Sequence, residues 1–292
     1  MTKLAAVIVT YNRSEKLGRV LRALNDQTRK PDVVYVIDNA STDDTADVVR
    51  ESFPDATYVR LNENIGGAGG FSLGIERAYD DGADLVWVSD DDAYPKPDAV
   101  QNLLSGLARF KQVTGRAAPF ACSHVKWTDG THCEMNTPDT VWDWPRHYHP
   151  ENPVFLVQSC SFVSCLIPRW AIKTHGLPIG DYFIWFDDAE YTLRLSQTHP
   201  GLFVPSSIVV HDLPENKGVN YGLVRPDTIW KFKYGARNET SARLRMFGYA
   251  GVAEFWLRVH RQMKGRPIKL RLSIYRALVS GLFFRPKIRQ VK

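Results

Sequence analysis

Short apolar runs alternate with helix-like stretches through the first 112 residues, and this alternation constrains the fold more than any other feature. Leu4 to Val9 reads as a buried strand, and after a candidate N-cap at Ser14 the apolar residues recur at helical spacing. The same patterns predict strands over residues 33–37, 57–61 and 85–89. They also predict a helix that includes residues 48 and 49, a helix that ends near residue 79 and a helix over residues 98–110. Regular β-α-β alternation predicts an α/β fold with a mostly parallel sheet covered by helices on both faces.

Polar loops follow the predicted strands. They are Thr10-Tyr11-Asn12, Asp38-Asn39, Asn62-Glu63-Asn64 and Asp90-Asp91-Asp92. Ligands of such sheets bind at the carboxyl ends of the strands, so we expect these loops to converge on one edge. The sequence therefore predicts a nucleotide pocket at that edge.

Three adjacent carboxylates, Asp90-Asp91-Asp92, directly follow the apolar run from Leu85 to Ser89. Like charges repel, so a compact chain tolerates such a run where a cation or solvent screens it. Carboxylates at the end of a rigid strand suit Mg²⁺ or Mn²⁺ bridging to a phosphate. The alternative is an acidic turn without a function, because aspartate favours turns.

A glycine-rich stretch, residues 64–70, is interpreted as a loop that opens the helix ending near Tyr79. Glycine lets the backbone approach a ligand closely, and a helix N-terminus favours negative charge. The stretch follows the third strand and lacks both the spacing of a dinucleotide fingerprint and the Gly-Lys-Ser/Thr ending of a Walker A loop. Alone, it is also consistent with a flexible turn.

A second acidic cluster lies in Trp185-Phe186-Asp187-Asp188-Ala189-Glu190-Tyr191. Large apolar neighbours suggest partial desolvation, which raises the pKa of a carboxylate toward the range useful to a general base. The alternative is the acidic first turn of a helix over residues 188–197, where Asp188 complements the helix dipole. His211, at the end of an apolar run, is a candidate further ligand for Mn²⁺, although a single histidine is more often structural.

The periodicity is weaker after residue 112. Residues 113–153 are interpreted as loops and short strands over the site, residues 155–167 as a strand pair, and residues 202–210 as strands around Pro205. The four cysteines form no C-x-x-C pair, and the longest apolar stretch, residues 277–284, is too short to span a bilayer. We therefore expect a cytoplasmic chain with reduced thiols.

The C-terminal residues 255–292 carry eleven Lys and Arg and no Asp or Glu, although the rest of the chain is net acidic. Leu270, Ile274, Leu278 and Leu282 recur every four residues, which predicts an apolar stripe along a basic helix. Such a helix can lie at the surface of an anionic bilayer, and nucleic acid is not the expected partner. The alternative is a helix packed on the catalytic domain or on a second subunit.

Six short motifs, taken in order, resemble the inverting family-2 glycosyltransferases of the GT-A fold over roughly residues 4–211. They are Val9-Thr10-Tyr11-Asn12-Arg13, Ile37-Asp38-Asn39-Ala40-Ser41, Asn64-Ile65-Gly66-Gly67, Ser89-Asp90-Asp91-Asp92, Phe186-Asp187-Asp188-Ala189-Glu190 and His211. The glycine-rich stretch and the second acidic cluster are most similar to actinobacterial galactofuranosyltransferases. The related rhamnosyltransferases share much of the pattern.

The resemblance implies a role for each motif. The residues implied to contact the nucleotide-sugar donor are Thr10, Asp38, Asn64, Gly67, Asp90 and Asp91. The implied ligands of a Mn²⁺ or Mg²⁺ ion are Asp92 and His211, together with Asp90. Asp188 matches the catalytic base, and Asp187 is the alternative for that role because it replaces a glutamate common in the family.

The resemblance also implies an activity, which is transfer of galactofuranose from UDP-galactofuranose to a lipid-linked glycan in cell-envelope polysaccharide synthesis. The enzyme would act peripherally at the inner face of the plasma membrane. A rhamnosyltransferase that uses dTDP-rhamnose is the first alternative, and a nucleotidyltransferase or a membrane-surface binding protein are alternatives of other classes. The expected domains are a GT-A catalytic domain at 1–227, with a donor half at 1–112 and an acceptor half at 113–227, and a helical basic extension at 228–292.

Overall fold

The computed structural model describes residues 2–151 and 153–292. The strands are β1 Leu4–Thr10, β2 Val33–Asp38, β3 Thr57–Arg60, β4 Leu85–Asp90, β5 Ala93–Pro95, β6 Ala121–Trp127, β7 Asp139–Thr140, β8 Phe155–Ser159, β9 Cys165–Pro168 and β10 Gly201–His211. The helices are α1 Ser14–Asn25, α2 Thr45–Ser52, α3 Gly66–Asp80, α4 Ala99–Thr114, α5 Arg169–His175, α6 Asp187–Leu195, α7 Ile229–Gln262 and α8 Ile268–Phe283.

One sheet joins these strands in the order β3-β2-β1-β4-β9-β6-β10-β8-β7, and β5 pairs with β10. The pairings from β3 to β4 are all parallel, as the β-α-β alternation predicts. Beyond β4 the sheet is mixed, because β9 pairs antiparallel with both of its neighbours. The predicted α/β class and the parallel first half of its sheet are confirmed.

Helices cover both faces of the sheet. Alternate residues of β1 enter opposite cores, with Ile8 on the face of α1 and α4, and Val7 on the face of α3 and α6. Because both faces are buried, β1 reads as a continuous apolar run without polar alternation. This double layer holds the strand ends rigidly at the edge where polar loops follow.

Three strand interpretations need correction. Residues 155–167 do contain two strands, but β8 pairs with β10 and β7, whereas β9 lies between β4 and β6. Residues 201–211 form one strand with an irregularity between Val204 and Ile208. The segment 113–153 contains β6, which lies inside the sheet. Apolar patterns locate strands, but their partners depend on contacts between distant segments.

The glycine-rich stretch is mostly helix, because α3 begins at Gly66 and the predicted loop is limited to the residues before it. A Cβ at Gly74 would lie 2.3 Å from Val7, and one at Gly70 would lie 2.6 Å from Val9. These glycines therefore let α3 approach β1 closely. Gly66 has a φ of +78°, and a Cβ there would meet the Phe183 carbonyl at 2.1 Å.

The C-terminal helices form a folded-back unit. The path of α7 is broken at Gly248, with φ 64° and ψ −160°, and the Trp256 Nε1 donates to Thr240 Oγ1 at 3.1 Å across the two halves. Ile274 and Leu278 of α8 are buried in the same core. The centre of the predicted stripe along α8 is thus buried mainly against α7 of the same C-terminal unit, whereas the sequence-based alternative was packing on the catalytic domain or on a second subunit.

No helix in the described ranges is both long enough and apolar enough to cross a membrane. All four cysteines are buried free thiols.

Candidate active site

The carboxyl ends of three neighbouring strands meet at one edge of the sheet. In the parallel ladder Thr10 pairs with Asp38, and Val9 pairs with Asp90 on the other side of β1. The polar loops that follow these strands therefore begin side by side, as predicted.

A candidate metal centre lies at this edge. One ligand atom each from Asp90, Asp92 and His211 lie within 4.8 Å of one another. β10 delivers the histidine, because His211 pairs with Ala93 in the antiparallel ladder with β5. Two carboxylates and one imidazole are a donor set that Mn²⁺ accepts readily and Mg²⁺ tolerates, so these residues fit the expected ion.

The orientation of His211 is fixed from behind. Its Nδ1 donates to Asn136 Oδ1 at 2.7 Å, which directs Nε2 toward Asp92 Oδ1 at 3.2 Å. Burial acts to lower the pKa of His211, but the hydrogen bond to Asp92 and the surrounding carboxylates outweigh it and raise that pKa to about 9. A divalent ion bound here would take the place of that proton. Asn136 was not identified from the sequence.

Arg13 partly relieves the repulsion among the three carboxylates. Its Nη1 lies 3.0 Å from Asp91 Oδ1 and 2.8 Å from Asp92 Oδ2, and its side chain is half exposed. Asp91 also accepts a hydrogen bond from Thr10 Oγ1 at 2.8 Å. Burial, followed by repulsion from Asp92, raises the pKa of Asp90 to about 7. Both oxygens of Asp91 are thus bonded to protein groups, whereas Asp90 and Asp92 each offer one oxygen to the candidate centre.

Asp38 is almost completely buried. Its Oδ1 accepts from the Ser41 backbone N–H at 2.9 Å, and its Oδ2 accepts from the Tyr58 hydroxyl at 2.5 Å. These bonds fix the loop after β2. Direct contact of Asp38 with a donor nucleotide stays a prediction.

The N-terminus of α3 borders open space. Asn64 is exposed, and its Oδ1 accepts from the Gly66 backbone N–H at 2.8 Å. Apart from its chain neighbours and the nearby backbone of α3, no described residue has an atom within 4 Å of a Cβ built at Gly67. Asn64 and Gly67 therefore remain accessible to a ligand, and their donor contacts stay predictions.

The acidic pair begins helix α6. Asp187 is buried and Asp188 is partly exposed. Burial raises the pKa of both carboxyl groups, and for Asp187 the charges of Asp188 and Asp90 act in the same direction. The pair is thus the acidic first turn of a helix and is also desolvated, and its role as a general base stays a prediction.

The backbone before this pair is strained. Phe183, Trp185 and Phe186 have φ values of 67°, 67° and 69°, a region that large side chains rarely adopt. The buried amide of Asn238 donates to the carbonyls of Tyr182, Ile184 and Trp185 at 3.0, 3.1 and 2.8 Å. A residue of α7 thus holds the segment that positions the acidic pair.

The profile of the family described as "Glycosyl transferase family 2" matches residues 5–165, more than half of the chain. The chain belongs to glycosyl transferase family 2. The matched range includes the ends of β1, β2 and β4, and the acidic pair and His211 follow it.

Two galactofuranosyltransferases are among the similar proteins. Galactofuranosyltransferase GlfT1 of Mycolicibacterium smegmatis is 36% identical over 118 residues, which are 40% of this chain and 39% of that protein. Galactofuranosyltransferase GlfT1 of Mycobacterium tuberculosis is 38% identical over 122 residues, which are 40% of this chain and 39% of that protein. The match thus spans about two fifths of the length of these relatives.

The N-acetylglucosaminyl-diphospho-decaprenol L-rhamnosyltransferase of Mycobacterium tuberculosis is 26% identical over 242 residues, which are 74% of this chain and 78% of that protein. Among solved structures, S. aureus TarS 1–349 aligns with a TM-score of 0.62 over 97% of this chain and 80% of its own, at 13% identity. GalNAc-T7 with UDP, GalNAc and Mn²⁺ aligns with a TM-score of 0.67 over 95% of this chain and 54% of its own, also at 13% identity. At such identities these likenesses concern the fold, and they support the predicted GT-A architecture.

In this glycosyltransferase, a buried ion cluster joins α6 to α7. Glu190 is fully buried, and Arg194 binds both of its oxygens at 2.9 and 3.1 Å. Arg245 of α7 reaches the same carboxylate at 2.6 Å. Because a buried charge without its partner is strongly destabilising, this cluster ties the acidic helix to the C-terminal unit. The sequence motif located Glu190 but not its distant partner.

Proposed function

We propose that this protein is a metal-dependent inverting glycosyltransferase with a UDP-sugar as donor and UDP-galactofuranose as the first candidate. The observation that carries the proposal is the position of the acidic pair beside the Asp90–Asp92–His211 cluster. The two sites are close enough for the charge of Asp90 to contribute to the raised pKa of Asp187. A divalent site next to a desolvated carboxylate is what activation of a leaving group and of an acceptor requires.

The donor diphosphate would lie at the metal cluster. Asp90, Asp92 and His211 would hold Mn²⁺ or Mg²⁺, which when bound neutralises the charge of the leaving nucleoside diphosphate. Thr10, Asn64 and Gly67 would contact the nucleotide. Arg13 adds positive charge at the rim. Burial lowers the pKa of Lys231, the charge of Arg13 lowers it further and the charge of Asp92 raises it, so Lys231 is a second cation within electrostatic range of this site.

Asp188 would act as the general base. Its greater exposure favours it over Asp187 for contact with an acceptor, and its raised pKa increases its affinity for the proton of a hydroxyl group. The deprotonated oxygen would attack the anomeric carbon on the face opposite the leaving diphosphate. This route inverts the configuration and needs no covalent enzyme intermediate.

The relatives support two donors. The galactofuranosyltransferases are more identical to this chain over a shorter stretch, whereas the rhamnosyltransferase matches a longer one. A dTDP-rhamnose enzyme is therefore the second candidate. The name of that relative contains a diphospho-decaprenol carrier, so we propose a lipid-linked glycan acceptor and a role in the cell envelope. The proposed catalytic domain is residues 1–227, and 228–292 are an extension bonded to it.

The direct test is nucleotide release from UDP-galactofuranose, UDP-N-acetylglucosamine and dTDP-rhamnose, each with Mn²⁺ and with EDTA. We expect release of UDP from UDP-galactofuranose that requires Mn²⁺. Preferred release of dTDP would select the rhamnosyl alternative. Release of inorganic diphosphate from a nucleoside triphosphate and a sugar phosphate would indicate a nucleotidyltransferase and contradict the proposal.

Peripheral membrane binding needs a different surface from the buried stripe. Four other apolar residues of α8, spaced by four, seven and four positions, are exposed: Ile268, Leu272, Val279 and Phe283. This spacing places them on one face of the helix, among basic residues. We therefore propose that this exposed face rests on an anionic bilayer.

We predict salt-sensitive sedimentation of the protein with vesicles that contain phosphatidylglycerol. The double variant Leu272→Asp/Phe283→Asp should lose it, because it places charge in the apolar contact. Val113→Asp is the matched control, since Val113 is exposed on α4. Equal sedimentation of the double variant and the wild type would refute the membrane proposal.

A further inference from the structure

A groove of about 610 Å³ lies between the first half of α7 and helix α8, outside the candidate metal centre. Trp230, Lys233, Tyr234 and Arg237 line it from α7, and Arg276 lines it from α8. The α7 residues are spaced by three, one and three positions, so they share one face of that helix. A volume of this size accommodates a small organic ligand or its head group.

The chemistry of this groove suits phosphate oxygens. Its lining contains three cationic side chains and the hydroxyl group of Ser273, and none of the described lining residues is acidic. The hydroxyl of Ser280, which also lines the groove, donates to the Ala277 carbonyl at 2.7 Å. The exposed carboxylate of Asp181 lies outside the lining. Burial lowers the pKa of Arg237, and the charge of Asp181 partly opposes that effect. Arg and Lys with added hydroxyl donors form charge-assisted hydrogen bonds to phosphates.

Arg237 is oriented before any ligand arrives. Its Nη2 donates to the Asp181 carbonyl at 3.0 Å, its Nε donates to Asn238 Oδ1 at 3.0 Å, and its guanidinium carbon lies 4.0 Å from the centre of the Phe284 ring. In the described part of the chain no residue bonds to its Nη1. The conformational cost of using this group to bind an anion is therefore small.

The groove contacts the segment that leads to the proposed base. The Tyr234 ring stacks on Phe183 with centroids 5.0 Å apart, and Phe183 opens the strained segment that leads to Asp187. Arg237 also donates to the carbonyl of Asp181, just before this segment. A ligand in the groove would therefore contact residues that hold the acidic pair in place.

An exposed apolar surface continues from the groove. Arg276 follows Leu272 by one helical turn, and Val279 and Phe283 follow on the same side of α8. A molecule with an anionic head in the groove could thus lay an apolar chain along these residues. Nucleic acid has no such chain, so the combination favours an isoprenoid or other lipid phosphate.

We propose that this groove binds the diphosphate of a lipid-linked acceptor, with the lipid chain along the exposed face of α8. The inference rests on the proposed function, because it assigns the acceptor's anionic group to a subsite next to the proposed base. It adds a binding site formed by Lys233, Arg237 and Arg276, separate from the donor and metal residues.

The test is calorimetric binding of farnesyl diphosphate to the full chain in EDTA, where no divalent ion occupies the donor site. We expect binding to the wild type, and affinities at least about tenfold lower in Lys233→Glu and in Arg276→Glu, the effect of losing a charge-assisted contact of about 1.4 kcal/mol. Lys264→Glu is the matched control, because Lys264 is an exposed cation between α7 and α8 outside the groove. Inorganic diphosphate should bind more weakly than farnesyl diphosphate.

Equal affinities in the wild type and both groove variants would overturn the inference. Equal affinity for inorganic and farnesyl diphosphate would overturn it too, since the groove would then be a site for free phosphate. UDP binding with Mn²⁺, measured on the same proteins, separates the two proposals. If UDP binds normally but farnesyl diphosphate does not bind, only the groove proposal is rejected. If farnesyl diphosphate binding depends on the groove residues but UDP does not bind, the proposed donor is rejected and the groove proposal stands.

Discussion

Replacement of Asp188 by Asn should lower the rate of sugar transfer by roughly 10²–10⁴-fold, the usual contribution of a general base. The amide cannot accept the proton of the acceptor hydroxyl, but it is nearly isosteric and should leave donor binding intact. The measurement is kcat for transfer to a lipid-linked acceptor, together with UDP affinity in Mn²⁺. We expect the loss in kcat alone.

Asp187→Asn is the matched control for this prediction. Asp187 is the more buried member of the pair and lies within electrostatic range of Asp90. If Asp187→Asn lowers kcat by the factor that we expect for Asp188→Asn, and Asp188→Asn retains near-normal kcat, then Asp187 is the base. Burial raises the pKa of Asp188, so the ionised base is lost as the pH falls through that raised value. The wild-type kcat should accordingly decline toward acidic pH.

Removal of either candidate metal ligand should make donor binding independent of metal. In Mn²⁺, Asp92→Ala and His211→Ala should each weaken UDP binding by at least about 10–100-fold, because even residues that only support metal ligands contribute that much. In EDTA the same variants should bind UDP about as weakly as the wild type does. Calorimetry of UDP binding with Mn²⁺ and with EDTA measures both effects.

Two variants outside the cluster are controls for the metal prediction. His124→Ala removes a half-buried histidine of β6, and Asp129→Ala removes an exposed carboxylate. Neither residue belongs to the Asp90–Asp92–His211 cluster, so both variants should retain metal-dependent binding. Equal UDP affinity of the wild type with and without Mn²⁺ would rule out the metal centre.

Much of the donor half is predictable because its signals are local. The apolar run of β1 and the helical spacing of α1 each follow from fewer than two dozen consecutive residues, and parallel β-α-β units then place the strand ends together. The carboxylates after β4 and the acidic start of α6 were found for the same reason. His211 was also located, as a histidine that ends an apolar strand, and the roles of these residues stay predictions.

The supports of these residues were not predictable. Asn136 orients His211, Asn238 holds the strained segment before Asp187, and Arg245 reaches Glu190. Each partner is separated from its target by about 50 residues or more. The residues next to a hydrogen-bonding side chain in a loop or helix do not indicate which distant residue it will bond to. The same limit explains why β8 and β9 were recognised as strands but assigned to each other.

The sequence by itself determined the α/β class, the alternation of the donor half and the identity of the residues at the strand ends, because backbone periodicity and motif spacing are properties of neighbouring residues. Only the tertiary structure decided which of these residues meet. It turned the glycine-rich stretch into a helix packed on β1, buried Ile274 and Leu278 of α8, and left Leu272 and Phe283 exposed. The physical reason is that an apolar stripe indicates that one face of a helix is to be buried but not which partner buries it. The partner depends on how the whole chain packs.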